Sequence, residues 1–220
     1  MASWLQANID VNIIRKRLRE IVGEIDKLLS FREKERDAMI KKSRDVIRLS
    51  GWIINAIHRG SLEEAKQYLN ELEKAVKEFL AHAKSDNYLF YSGLVDSTLA
   101  EYVEAVILYK LVTGEGLPGP NELGVTEISY LQGLGDVVGE LRRLALDFMR
   151  VDRLEEAELM LELMEVIYNE LRGLEYPDAL IPGVKRKVDV ARRLIDDTKA
   201  LLIEVKGRKE VLKALATRSS

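Results

Sequence analysis

The stretch Ile13-Ile-Arg-Lys-Arg-Leu-Arg-Glu-Ile-Val-Gly-Glu-Ile-Asp-Lys-Leu-Leu29 decides the fold class. Ile14, Leu18, Ile21, Ile25 and Leu28 return at steps of four and three, the period of one helix face. The same period continues along the chain. Ser30-Phe-Arg-Glu33 has the form of a capping box and either opens a second helix or kinks a long one. The pattern runs through Ile47 and Ile54 to His58 and stops at Arg59-Gly60. Ser61-Leu-Glu-Glu64 opens a helix to about Ala83, and Ser85-Asp86-Asn87 breaks the chain before a helix from about Tyr88 to Thr113.

Gly114 to Gly124 reads as a plain loop. Thr126 caps a helix to about Met149, and Asp152-Arg-Leu-Glu155 opens another to about Arg172. After the Pro-broken loop from Gly173 to Gly183, a last helix runs from Val184 to beyond Leu202, with a frayed tail after Gly207. No strand pattern of useful length interrupts this series. The reading is an all-α chain, one domain over residues 1–220, folded as an antiparallel bundle of six or seven long helices.

Composition narrows the function. The chain has 220 residues, 47% hydrophobic, and 34 basic against 37 acidic side chains, a net charge of −3. That excludes a basic coat over the whole surface but not a basic face. Two runs are locally basic. Arg32 to Arg48 holds seven bases and four acids, and Lys185 to Arg193 five bases and one acid. Asp152 to Glu175 is acidic, with eight acids and two bases. Such runs are solvated helix faces or anion-binding edges. The absence of cysteine excludes disulfides, thiolate metal sites and a Cys nucleophile. No segment has the roughly 18 consecutive apolar residues of a membrane span. The N-terminal sequence lacks the form of a signal peptide, so a cytoplasmic location is expected.

Two windows carry chemistry. In Leu99-Ala-Glu-Tyr-Val-Glu-Ala-Val-Ile-Leu-Tyr109, Glu101 and Glu104 share one face of a nearly all-apolar helix. In Tyr130-Leu-Gln-Gly-Leu-Gly-Asp-Val-Val-Gly-Glu-Leu-Arg-Arg143, Asp136 and Glu140 share a face with Gly133, Gly135 and Gly139 nearby. Each glycine costs a helix about 1 kcal/mol against alanine, so the cluster implies close approach of a backbone or a substrate. If the two acidic faces meet, like charges about 5 Å apart repel by about 3 kcal/mol per pair at an effective dielectric near 20. Divalent cations or protons relieve that repulsion, and an all-oxygen set selects Mg²⁺, with Mn²⁺ as a substitute. Structural ion pairs with Arg142, Arg143 or other bases are the alternative. His58 and His82 read as surface or helix-capping residues, although His58, beside Arg59, is placed to touch a phosphate. Neither His58 nor His82 completes Glu-x-x-His, since Asn55 and Phe79 stand three residues before them. Gly114-x-Gly-x-x-Gly119 follows a helix rather than a strand and matches a dinucleotide fingerprint by spelling alone.

Glu101–Ala105 (EYVEA) together with Tyr130–Arg143 resembles the Trax-type (translin-associated factor X) members of the translin family. KKSRDVIRLS at Lys41–Ser50, the stretch LFYSGLVDSTLAEYVEAVILYKLV and LRGLEYPDALIPGVKRKVDVARRLI at Leu171–Ile195 extend the likeness, the last resembling an archaeal form. The resemblance implies a seven-helix protomer assembling into barrel-like octamers that bind RNA and single-stranded DNA. It also implies Mg²⁺-dependent endoribonuclease activity, for which two-metal chemistry gives a 3′-hydroxyl product. By motif position, Glu101, Glu104 and Asp136 would hold the metal, with Glu140 supporting it or orienting water. One motif threonine is a valine here, and the loop after Val112 is shorter than in animal Trax.

For the nucleic-acid grip the candidates are Arg32, Arg36, Lys41, Lys42, Arg44, Arg48 and Arg59. Trp4, Trp52 and the Leu/Ile stripe of the first helix are candidates for the contact between copies of a homo-oligomer. A non-catalytic translin-like RNA/ssDNA-binding oligomer, or a bundle binding only proteins, are the competing readings.

Overall fold

The computed structural model describes residues 10–218, all helix and connection, with no strand among them. Six long helices and two single turns follow in order: α1 (Val11–His58), α2 (Leu62–Ala83), α3 (Asn87–Phe90), α4 (Gly93–Thr113), α5 (Pro120–Leu123), α6 (Glu127–Arg150), α7 (Leu154–Arg172) and α8 (Val184–Arg218). No described helix is long and apolar enough to cross a membrane.

Several sequence expectations are corrected in detail. Ser30 neither starts a helix nor breaks one, because α1 is continuous for 48 residues with Asp10 as its cap, accepting from the amides of Asn12 and Ile13. Thr126 caps α6 through the Ser129 amide as expected, whereas Ser61 makes no side-chain cap bond to α2. Asp152 sits at φ 61° in the left-handed turn before α7, and Arg153 takes the cap position. The helix expected from Tyr88 is divided at Tyr91-Ser92 into α3 and α4. The tail expected to fray after Gly207 continues α8 as helix to Arg218.

Cross-helix contacts give the directions. Glu35–His82 and Arg59–Glu64 set α1 and α2 antiparallel. Lys199–Glu165 and Lys209–Asp152 do the same for α7 and α8, and so absorb much of the acidic run of α7. Asp96, in the first turn of α4, accepts from Thr126 at the start of α6, while further along Gly133 of α6 lies against Ala100 and Val103 of α4. Thus α4 and α6 run parallel. The fold is two up–down–up units, α1-α2-α4 and α6-α7-α8, and the Gly114–Val125 segment is the crossover that carries the chain back along the bundle. Tyr130 donates to the Pro118 carbonyl at 2.8 Å and ties that crossover down.

The core runs along α4, where Leu99, Val103, Ala105, Ile107 and Leu108 are fully buried, against Ile53, Val137 and Leu141. The founding stripe of α1 stays outside it: Ile14, Leu18 and Ile25 are each at least half exposed. Trp52 is exposed too, and Trp4 lies outside the described residues.

The α4–α6 contact depends on Gly133. A Cβ there would lie 2.6 Å from Val103 Cβ and 2.7 Å from the Ala100 carbonyl oxygen. A Cβ at Gly139 would meet no neighbouring atom within 4 Å. Gly133→Ala should therefore destabilise by about 1–3 kcal/mol through overpacking, while Gly139→Ala should stabilise by up to about 1 kcal/mol through helix propensity. Urea unfolding of the two variants checks the opposite signs.

Candidate metal centre

Parallel packing brings together what the sequence separates by more than thirty residues. Glu101 and Glu104 lie three apart on α4, and Asp136 and Glu140 four apart on α6, each pair on a single face. With Gly133 seated on Ala100 and Val103, these faces oppose one another one turn further along. The two glutamates of α4 feel the acids of α6 directly. Burial first, and then the charges of Asp136, Glu101 and Glu140, push the Glu104 carboxyl up to about 8. Burial and the Asp136 charge likewise raise Glu101. Glu104 is 8% exposed, and neither it nor Glu101 has a hydrogen-bond or ion-pair partner among the described residues. A carboxyl does not stay ionised in such a place without a cation.

The α6 acids are held differently. The Lys187 ammonium, from α8, closes on both carboxylate oxygens of Asp136. His58, the last residue of α1, donates from Nε2 to Glu140 Oε2 at 2.5 Å, and Arg143 lies 3.7 Å from the same oxygen. The His58 hydrogen bond outweighs burial and keeps the Glu140 carboxyl below its ordinary range. His58 is therefore neither a surface residue nor a simple cap: its side chain is 5% exposed, with Nδ1 3.7 Å from Asp147 and without a hydrogen bond. Arg142 makes no bridge to the acids; its Nε is buried without a partner. The structural ion pairs considered for these acids thus exist in part, through Arg143 and through two residues from other helices.

The donor set fits a hard divalent ion, being carboxylate oxygen with one buried, partnerless member. Among the described residues, however, no three His, Asp or Glu side chains are already arranged around a common ion position. With Asp136 turned to Lys187 and Glu140 to His58, closing a coordination sphere requires local side-chain rotation.

His58 and Lys187 are the residues that sequence reasoning left out of the site. Lys187 sits inside the basic run noted above, but only the packing of α8 on α6 shows that one of its five bases faces inward. The seven residues nominated for grip divide. Arg32 pairs with Asp86 at 3.0 Å, Arg48 with Asp45 at 2.7 Å and Arg59 with Glu64 at 2.8 Å; Lys42 pairs with Glu78. Arg36, Lys41 and Arg44 are exposed and form no ion pair among the described residues. Arg44 stands fourteen residues before His58 on α1, about 21 Å along a helix, so the structure does not bring that group to the acids.

The raised Glu104 carboxyl makes stability pH-dependent. An acid whose folded pKa lies above its unfolded value takes up a proton on folding. Its cost is absent below about pH 4.5, grows as pH rises and is complete above about 8. Without divalent ions, the chain should lose on the order of a few kcal/mol between pH 5 and 9, and Glu104→Gln should remove most of that slope. Denaturant unfolding at the two pH values measures the difference.

The comparisons with known proteins bear on the fold and the family. The Translin family model matches residues 34–197, about three quarters of the chain. A relative from Methanocaldococcus jannaschii, the uncharacterized protein MJ0175, is 30% identical over 182 residues, covering 80% of each chain. Among solved structures, AfC3PO in a complex with duplex RNA superposes with a TM-score of 0.76 at 34% identity, over 87% of this chain and 97% of that one. Apo-NeC3PO superposes with a TM-score of 0.70 at 25% identity, over 91% and 98%. With the fold, the length of the match and the identity in agreement, the chain belongs to the translin family.

Proposed function

We propose that this chain is a catalytic, Trax-like translin-family subunit of archaeal type, a Mg²⁺-dependent endoribonuclease that binds RNA and single-stranded DNA in the cytoplasm. The observation that carries the reading is Glu104, a buried carboxyl without a partner, set beside Glu101 and, across a glycine-tightened contact, against Asp136 and Glu140. Similarity to AfC3PO, whose structure holds duplex RNA, supports RNA as the ligand.

Glu101, Glu104 and Asp136 would hold the ion, Mg²⁺ or Mn²⁺, with Glu140 beside it. When bound, the ion neutralises charge on the phosphate and acidifies water. The chain supplies the rest. His58 and Arg143 both act on Glu140 Oε2, which leaves Oε1 to accept a proton from the water that attacks phosphorus. The new bond joins that water oxygen to phosphorus as the bond to the 3′-oxygen breaks; the 3′-oxygen takes a proton from solvent, so one strand leaves with a 3′-hydroxyl and the other with a 5′-phosphate. Arg36, Lys41 and Arg44 are the foremost candidates to hold the backbone at a distance from the acids, ahead of their ion-paired neighbours Arg32, Lys42, Arg48 and Arg59.

Assembly belongs to the same proposal. Ile14, Leu18 and Ile25 on α1, and Ile203, Val211 and Leu212 on α8, expose apolar surface that a second copy would bury. A homo-octamer enclosing the acids is the expected form. Light scattering should then give a mass well above the 25.0 kDa of one chain; an active monomer at micromolar concentration would exclude the enclosed site.

A non-catalytic RNA- and ssDNA-binding oligomer is the second reading, favoured by one observation: Lys187 and His58 already occupy two of the four acids. Metal-dependent cleavage separates the two. Asp136→Asn and Glu104→Gln should each lower the cleavage rate of a short single-stranded RNA by at least about a hundredfold, with binding changed less than about threefold. Loss of a group acting only on the transition state lowers kcat without weakening binding. Cleavage near the wild-type rate in the double variant would end the nuclease reading.

A further inference from the structure

Lys187 reaches the acids by a built route. Its stem crosses α6 at Gly135, where a Cβ would lie 2.8 Å from Lys187 Cβ and 2.9 Å from Lys187 Cδ. Any side chain at residue 135 displaces that stem. The glycine therefore exists for the lysine, as Gly133 does for α4. The base of α8 is anchored close by, where Gln132 donates to the Pro182 carbonyl at 2.8 Å. The ammonium comes to rest on Asp136 and within Coulombic reach of Glu101 and Glu104. It is not sealed in, since the Lys187 side chain is 28% exposed and that of Asp136 32%. Lys185, Arg186, Arg192 and Arg193, on the far side of α8 from Lys187, are exposed and form no ion pair among the described residues. Lys187 is thus the one base of this run turned to the acidic cluster.

An ion pair made only to neutralise Asp136 needs no access from solvent. A phosphodiester lying on the acids needs it. Its non-bridging oxygens repel the carboxylates, and a compact, mobile ammonium at their rim offsets that repulsion.

We propose that Lys187 is a substrate-phosphate contact of this site, its ammonium taking a non-bridging oxygen of the bound strand when Asp136 turns to a divalent ion. This rests on the hydrolytic reading for its consequences in cleavage, but the contact itself is testable without cleavage.

The test uses two pairs of full-length variants. Asp136→Asn is not expected to cut and removes the charge that holds Lys187, so the ammonium is free for phosphate. Adding Lys187→Met to it should weaken binding of a short single-stranded RNA several-fold. It should also reduce the slope of log affinity against log salt by about 0.7, one counterion on a single strand. In the otherwise native chain, Lys187→Met should leave Mn²⁺ binding, followed by electron paramagnetic resonance, intact or tighter while kcat/KM falls about ten- to a hundredfold. Lys187→Arg should restore part of it, and Gly135→Ala should reproduce the loss without changing any charge. An unchanged salt slope in the Asp136→Asn pair would overturn the contact, whatever the kinetics. Failure of the wild-type chain to bind Mn²⁺ or cut RNA would instead overturn the hydrolytic reading and leave the salt slope to decide the phosphate contact.

Discussion

Everything in this structure that bears on function follows from the close parallel contact of α4 and α6. Helices that are neighbours in sequence commonly pack antiparallel through short turns. Here the Gly114–Val125 crossover returns the chain to the start of α4 before α6 begins, so equivalent turns of the two helices lie side by side. Gly133 then removes the one side chain that would hold them apart. The acids of each helix, harmless on their own, are pressed into one another's field.

That constraint sets an energetic conflict within the fold. A buried carboxyl among carboxylates opposes folding, and the surroundings answer it differently for each member. Glu140 is answered by His58 at the end of α1, Asp136 by Lys187 from α8, and Glu104 by a proton near neutral pH or by a cation. Two helices outside the contact, α1 and α8, thus converge on it, which couples the site to the packing of the whole bundle. Strain of this kind persists at functional sites because surrounding structure over-determines it.

Much of this was legible in the residues. The three-and-four spacing of apolar side chains gives the helices and their number, and Glu101 with Glu104 in an apolar window marks a helix that buries charge. The glycines of α6 announce close approach, and two of the three deliver it, Gly133 to a backbone and Gly135 to the Lys187 stem; Gly139 faces open space. Direction was not legible. Nothing in Gly114–Gly124 distinguishes a hairpin loop from a crossover, and that choice decides which residues of α6 face α4. Nor could periodicity separate Lys187 from the four bases around it, or show that His58, one residue before an exposed Arg59, points inward. The α1 stripe that announced the helical fold is itself solvent-exposed, because amphipathic spacing reports a face and not what covers it.

The most direct measurement is anomalous diffraction from crystals of the full chain grown with Mn²⁺. This account places a single strong peak among Glu101, Glu104 and Asp136, with Glu140 beside it and the Lys187 ammonium turned away from Asp136. A chain that saturates with Mn²⁺ elsewhere, or keeps Lys187 on Asp136 with no peak between α4 and α6, would contradict it.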